Sequence, residues 1–254
     1  MNNPVQISVV VITYNEEKNI LRCLQSVQNI ADEIIVIDSG STDRTKEIVL
    51  ETGAKFIHQN FLGYVEQKNF ANKSASNNII LSLDADEELS ETLKNSILKV
   101  KENWVYDGYE FNRLTNYCGH WVKHSGWYPD RKIRLFDRNK SKWIGEMIHE
   151  ELTLINPKNK IRLNGDLLHY SYYTEQDHIK QIQNFTDIQA KIIYQSGNKP
   201  NLFHFYIKPA FKFLRDYILK TGFLDGKYGL RIAKHSADAV FIKYKKAEEL
   251  FKNG

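Results

Sequence analysis

The chain has 254 residues, 42% of them hydrophobic and 26% charged, a composition that excludes a disordered or fibrous protein and fits one main core with an appended subdomain. Its formal charge of +4 is too mild to indicate nucleic acid, and no nucleic-acid partner is expected. The charge is uneven: residues 199–254 hold 12 Lys/Arg and 5 Asp/Glu, a net +7, which leaves −3 on the first 198 residues.

Two cysteines, Cys23 and Cys118, are too few for a disulfide framework or a four-cysteine zinc site and suit free thiols in a reducing cytoplasm. The N-terminus lacks a basic region, and its apolar run of about seven residues is too short for a signal peptide or a membrane span. These features predict a cytoplasmic chain, with a peripheral contact at the inner face of the membrane left open.

Over the first hundred residues, short β-branched runs alternate with helical patterns, the signature of a parallel sheet built from βαβ units. Strands are expected at 7–13 (ISVVVIT), 33–38 (EIIVID) and 78–83 (NIILSL), with a weaker one at 54–57. Their nearly continuous apolar character suits strands covered on both faces. Helical spacing predicts helices at 16–28, 43–51, 64–74 and 90–101. From about residue 104 to 173 the pattern turns aromatic and alternating, as in 106–117, 132–136 and 167–172, which reads as mixed or antiparallel strands with long loops. After Thr174 the pattern is helical to the end.

Ligands of open α/β sheets sit outside the carboxyl ends of the strands, and here each strong strand ends in a polar cluster. The clusters are Thr13-Tyr14-Asn15-Glu16-Glu17, Asp38-Ser39-Gly40-Ser41-Thr42-Asp43 and Asp84-Ala85-Asp86-Glu87-Glu88. Singly, Asn15, Ser41 or Thr42 could simply cap a helix. Three such clusters at one sheet edge favour a binding crevice. In Asp84-Ala85-Asp86 the two carboxylates can face one ligand, and a divalent cation, Mg²⁺ or Mn²⁺, between them and a diphosphate would relieve their repulsion. Neither a dinucleotide-binding GxGxxG nor a P-loop is present.

These motifs, VVVITYNEEKNI (9 to 20), IIVIDSGSTDRT (34 to 45), YVEQKNFA (64 to 71) and LSLDADEEL (81 to 89), resemble family 2 glycosyltransferases of the GT-A fold, in particular the branch like lipopolysaccharide-core glucosyltransferases. IRLFDR (133–138), GEMIHEEL (145–152) and LHYSYY (168–173) also look like that branch. The resemblance implies a GT-A catalytic domain over 1–173, with a nucleotide-binding half at 1–100 and an acceptor half at 101–173, followed by a helical basic and aromatic extension at 174–254. It implies that Thr13, Tyr14 and Glu16 line a nucleotide pocket, that Asp38 contacts the uracil or ribose of a UDP-sugar, that Asp84 orients the ribose or the metal shell, and that Asp86 binds the metal. Arg44 and Lys68 are candidates for phosphate or sugar contacts, or members of a solvated helix face. Glu150 stands where the family carries its acidic base, with Glu151 and Glu146 as alternatives. His169 is a candidate third metal or diphosphate ligand, or a satisfied core or edge histidine, and His149 competes for the ligand role.

The expected activity is inverting, metal-dependent transfer of a hexose from a nucleotide sugar to a glycan or lipid-linked acceptor at the cell surface. A nucleotidyltransferase would want a Gly-rich phosphate loop after the first strand, and a binding module would have no use for both the acidic triplet and Glu150. Tyr117, Trp121, Trp127 and Tyr128 read equally as an acceptor platform or as core. In 203–220 (FHFYIKPAFKFLRDYILK) the apolar residues recur at three-and-four spacing among Lys208, Lys212, Arg215 and Lys220. That amphipathic pattern suits either an interfacial helix on an anionic membrane or a helix packed on the protein. The sequence leaves the oligomeric state open.

Overall fold

A computed structural model describes residues 4–145 and 150–253, so Glu146 and His149 lie outside the described residues. The chain divides into two compact units, one of Met1–Arg113 with Asp130–His169 and one of Leu114–Pro129 with Tyr170–Gly254.

The first unit opens with the alternation β1 (Ile7–Thr13), α1 (Ile20–Val27), β2 (Glu33–Asp38), α2 (Thr45–Glu51), β3 (Lys55–His58), α3 (Tyr64–Ser74) and β4 (Ile79–Asp84). It continues through β5 (Glu87–Leu89) and α4 (Glu91–Glu102), whose first turn is capped by the Ser90 hydroxyl accepting from the Leu93 amide. Then come β6 (Gly108–Tyr117), β7 (His120–Trp121), β8 (Asp130–Asp137), β9 (Ser141–Ile144), β10 (Glu151–Leu154) and β11 (Lys160–Tyr172). β6 and β11 each run on into the second unit, which also holds β7.

Among the described residues the main sheet has the order β3-β2-β1-β4-β8-β6-β11-β5. Its first four strands are parallel, with Val9 of β1 opposite both Ile34 and Leu81. β8 joins β4 antiparallel, with Leu81 opposite Leu135, and β5 joins β11 antiparallel, with Glu87 opposite His169. A separate hairpin pairs β9 with β10.

The two-residue period of the strands sorts their side chains into two cores. Val9, Val11, Val36, Leu81 and Leu83 pack on one face with Ile20, Leu24 and Val27 of α1 and Leu93 and Ile97 of α4. Val10, Ile35, Ile37 and Ile80 pack on the other with Ala71 of α3, Phe136 and Trp143. Each fully buried side chain of this kind contributes about 1.5–3 kcal/mol. Strand order reverses about β1, whose neighbours are β2 and β4, and the carboxyl ends there open a topological switch point.

The second unit holds α5 (Glu175–Gln195), α6 (Lys208–Leu214) and α7 (Gly226–Asn253). A reciprocal cap of Thr174 and Asp177 starts α5. Single π-helical turns, Phe203–Ile207 and Arg215–Leu219, flank α6 on either side. The start of α7 crosses the turn before it so closely that a Cβ on Gly229 would lie 1.8 Å from the Gly222 carbonyl oxygen, which leaves glycine as the residue that fits. Tyr117 is fully buried and meets Trp127, Tyr172 and His178 edge-on at centroid distances of 5.9, 5.6 and 5.3 Å. Burial, aided by the neighbouring His235, takes the His178 imidazole down to about 4. Cys23 and Cys118 are free thiols. No helix among the described residues is long and apolar enough to cross a membrane.

Candidate active site

The ends of β1 and β2 are tied together by their own loops. Thr13 pairs with Asp38 in the parallel register, and the Ser39 amide donates to the Thr13 carbonyl at 3.0 Å. One Asp38 oxygen accepts from the Gly40 and Ser41 amides, both at 2.9 Å, and the other accepts from the Ser41 hydroxyl. This tight Asx-type turn holds Gly40 at φ +95°, a conformation glycine adopts without strain. The β1 loop docks on it, Asn15 and Glu16 donating their amides to Ser41 Oγ and Thr45 Oγ1 at 2.8 Å. Thr13 Oγ1 and, on α3, Gln67 Oε1 are buried without a partner among the described residues. Tyr14 is exposed, and Arg44 is exposed and engaged by Glu47 at 3.0 Å.

The end of β4 is denser in charge. Asp84 Oδ2 lies 2.7 Å from Arg134 Nη2, and Asp84 Oδ1 lies 3.1 Å from Lys68 Nζ. The same Arg134 nitrogen is 2.6 Å from Glu87 Oε1, while the other Glu87 oxygen accepts from the Asp84 amide at 3.0 Å. Arg113 closes the group 3.6 Å from Glu87 and 2.7 Å from Asp130. Lys68, buried on α3, reaches a second carboxylate, Glu150 Oε1, at 3.1 Å. The Trp143 ring lies 4.6 Å from the Lys68 ammonium and 5.9 Å from the Arg134 guanidinium. Asp86 stands apart from this group and pairs with His169 Nε2 at 3.1 Å.

Electrostatics separate the three carboxylates of the strand ends. Burial alone would raise Asp84, but Arg134 and Lys68 outweigh it and hold the carboxyl far below the usual range. Burial is likewise outweighed at Asp86, which His169 lowers. At Glu16 burial wins: its carboxyl is pushed up to about 7, against an opposing hydrogen bond from Asn19 and with further repulsion from Asp86 and Asp43.

Residues 8–150 match the profile of glycosyl transferase family 2. An uncharacterized glycosyltransferase of Rickettsia typhi is 31% identical over 255 residues, covering 96% of this chain and 87% of the relative. The chain belongs to glycosyltransferase family 2. The lipopolysaccharide core biosynthesis glycosyltransferase LpsC of Rhizobium meliloti is 26% identical to the transferase, covering 94% of this chain and 93% of LpsC. Among solved structures, S. aureus TarS (1–349) is 19% identical with a TM-score of 0.49, covering 98% of this chain and 92% of that one. The transferase has the GT-A arrangement, a parallel β3-β2-β1-β4 half continued by antiparallel strands.

In the transferase, the structure brings Lys68, Asp84 and Glu150 into one ion-paired group and Asp86 and His169 into a pair beside it. Glu151 opens β10 as an exposed residue opposite Ile144. Among the described residues no three His, Cys, Asp or Glu side chains converge to hold an ion. The Asp86–His169 pair supplies a carboxylate oxygen and an imidazole nitrogen, a donor set that Mn²⁺ accepts, and Mg²⁺ and Mn²⁺ commonly complete their shells with substrate phosphates and water. Two protein donors therefore fit such an ion. Asp84 is already committed to two protein cations.

Sequence reasoning passed over Arg134, Arg113, Glu87 and Trp143 as site residues. The available signal was a basic residue inside the apolar run of β8, since a charge is rarely fully buried unless paired. Arg134→Met is expected to destabilise the transferase by about 3–5 kcal/mol, because it leaves Asp84 and Glu87 without their shared counter-charge. Urea unfolding at neutral pH measures this as a lower midpoint, and a loss below about 1 kcal/mol would show that Lys68 and Arg113 suffice.

Proposed function

We propose that the transferase moves a hexose, from UDP-glucose or a close relative, with inversion onto a cell-surface glycan such as lipopolysaccharide core. The observation that carries this reading is the Lys68 ammonium held between Asp84 and Glu150, which joins the residue expected to act as base to the acidic turn expected to receive the donor. The name of LpsC supports the acceptor class.

In this reading Glu150 accepts the proton of the acceptor hydroxyl while that oxygen bonds to the anomeric carbon. The bond from that carbon to the diphosphate oxygen breaks on the opposite side, and its electron pair leaves with UDP. Lys68 orients the Glu150 carboxylate through a charge-assisted bond. Thr13, Tyr14, Glu16 and Asp38 surround the nucleoside, and Asp86 with His169 would hold the divalent ion. Bound there, the ion supplies positive charge to the departing diphosphate. The acidic loops that would otherwise repel a nucleoside diphosphate are consistent with that need.

The test is product analysis with Mn²⁺, a panel of UDP-sugars and a core oligosaccharide. The expected result is acceptor-dependent release of UDP with UDP-glucose and a β-linked product by NMR. Pyrophosphate formation from UTP and a sugar 1-phosphate would instead identify a nucleotidyltransferase, and donor binding without release a binding module.

A further inference from the structure

The segment around α6 turns two different faces outward and inward. Phe205 packs on Phe241 of α7 at 6.2 Å between ring centroids, and Lys208 Nζ donates to the Tyr244 hydroxyl at 2.9 Å. The opposite face is apolar yet uncovered: Phe203, Tyr206, Ile207, Phe211, Leu214 and Ile218 are each 49–67% exposed. They recur at three-and-four spacing through the π-helical turns and α6, forming one stripe. Contiguous apolar surface of this kind on a folded protein marks an interaction site.

The charge around the stripe selects its occupant. Between residues 199 and 237 the acidic residues are Asp216 and Asp225. Both are buried, Asp216 against Lys212 and Arg215, Asp225 against His120 and the Lys123 and His124 amides. No carboxylate of this stretch therefore reaches solvent, whereas Lys199, Lys220, Lys227, Arg231 and Lys234 all do. This stretch of sequence presents aromatic and aliphatic side chains together with exposed basic ones, of which Arg231 is paired with Glu175 of α5 at 3.5 Å; the first exposed carboxylate after it is Asp238. Aromatics at the acyl boundary with Lys and Arg at the headgroups are the arrangement of a helix lying in a bilayer interface.

We propose that this stripe docks the chain on an anionic lipid surface, α6 lying in the plane of the interface. The inference concerns the second unit and stands whether or not the transfer reaction proposed above is correct. Attraction to anionic headgroups adds about fivefold in partition for each basic side chain near the surface, and salt screens it within about a Debye length.

The experiment is co-sedimentation with vesicles of phosphatidylcholine alone or with 40% phosphatidylglycerol, as a mixing ratio of roughly the anionic content that gives a strong surface potential. The full chain is expected to sediment with the anionic vesicles at low salt, to remain in solution with the neutral ones, and to be released by 0.5 M NaCl, where the Debye length is only about 4–5 Å. Ile207→Ser with Phe211→Ser and Leu214→Ser should lower partition at least about tenfold, and Lys220→Gln with Lys227→Gln about 25-fold. These positions are exposed, so the thermal midpoint should stay within about 2 °C. Failure of the intact chain to bind anionic vesicles at low salt overturns the proposal. So does a dimer in solution that the triple serine variant converts to a monomer, because the stripe would then be covered by a second copy.

Discussion

Glu150→Gln is expected to lower kcat by about 10²–10⁴-fold, the usual contribution of a general base, with little change in UDP binding. Glutamine has nearly the shape of glutamate, and its carbonyl oxygen can still accept from the Lys68 ammonium that now sits 3.1 Å from Glu150 Oε1. What is lost is the capacity to take a proton. Lys68 also keeps its contact to Asp84 at 3.1 Å, so the acidic turn has no reason to rearrange. Pre-steady-state and equilibrium measurements separate the outcomes: donor affinity within about threefold of the parent, with a collapsed chemical step. Glu151→Gln, at the exposed first residue of β10, should retain most of the activity. An inactive Glu151→Gln beside an active Glu150→Gln would move the base by one residue.

Asp86→Ala is expected to abolish turnover and to remove the Mn²⁺ dependence of UDP binding, by calorimetry, to within error. His169 lowers the residue's carboxyl pKa against the opposing effect of burial, and the other acid of the triplet is already paired with Arg134 and Lys68. A divalent ion at Asp86 would replace only the contact with His169, itself the second candidate ligand, and would leave the Arg134 and Lys68 pairs of Asp84 intact. Breaking one costs about 3–5 kcal/mol, so Asp84 is a poor substitute. Near-normal turnover of Asp86→Ala with Mg²⁺ or Mn²⁺ would refute the assignment. Retained metal-dependent binding with lost turnover would instead place Asp86 in the chemistry and not in the ion's shell.

The parallel half of the sheet was legible because its strands carry a strong local signal. β1, β2 and α3 fall on the expected residues, and β4 shifts by one. The strand ends were legible for the same reason, since polar clusters stand out after buried apolar runs. β5 was hidden: Glu87–Leu89 is three residues long and becomes a strand by pairing with β11, some 80 residues later in the chain. The cations were hidden as well. Arg134 and Lys68 look like ordinary surface charges in sequence, and their burial depends on carboxylates brought to them by β4 and by the segment after β9. The amphipathic spacing of 203–220 was clear, but which of its faces meets α7 depends on a partner helix more than 30 residues away.

Trp143 gives the site a built-in optical sensor. Its indole is almost fully buried, its N–H has no partner among the described residues, and two cations lie over its ring. Indole emission shifts with the local electric field, so a displacement of Lys68 or Arg134 from the ring would change the fluorescence of this one residue. The other tryptophans are Trp104, Trp121 and Trp127, and a chain carrying Phe at those three positions would follow movement of the two cations at the strand ends in real time, without a label.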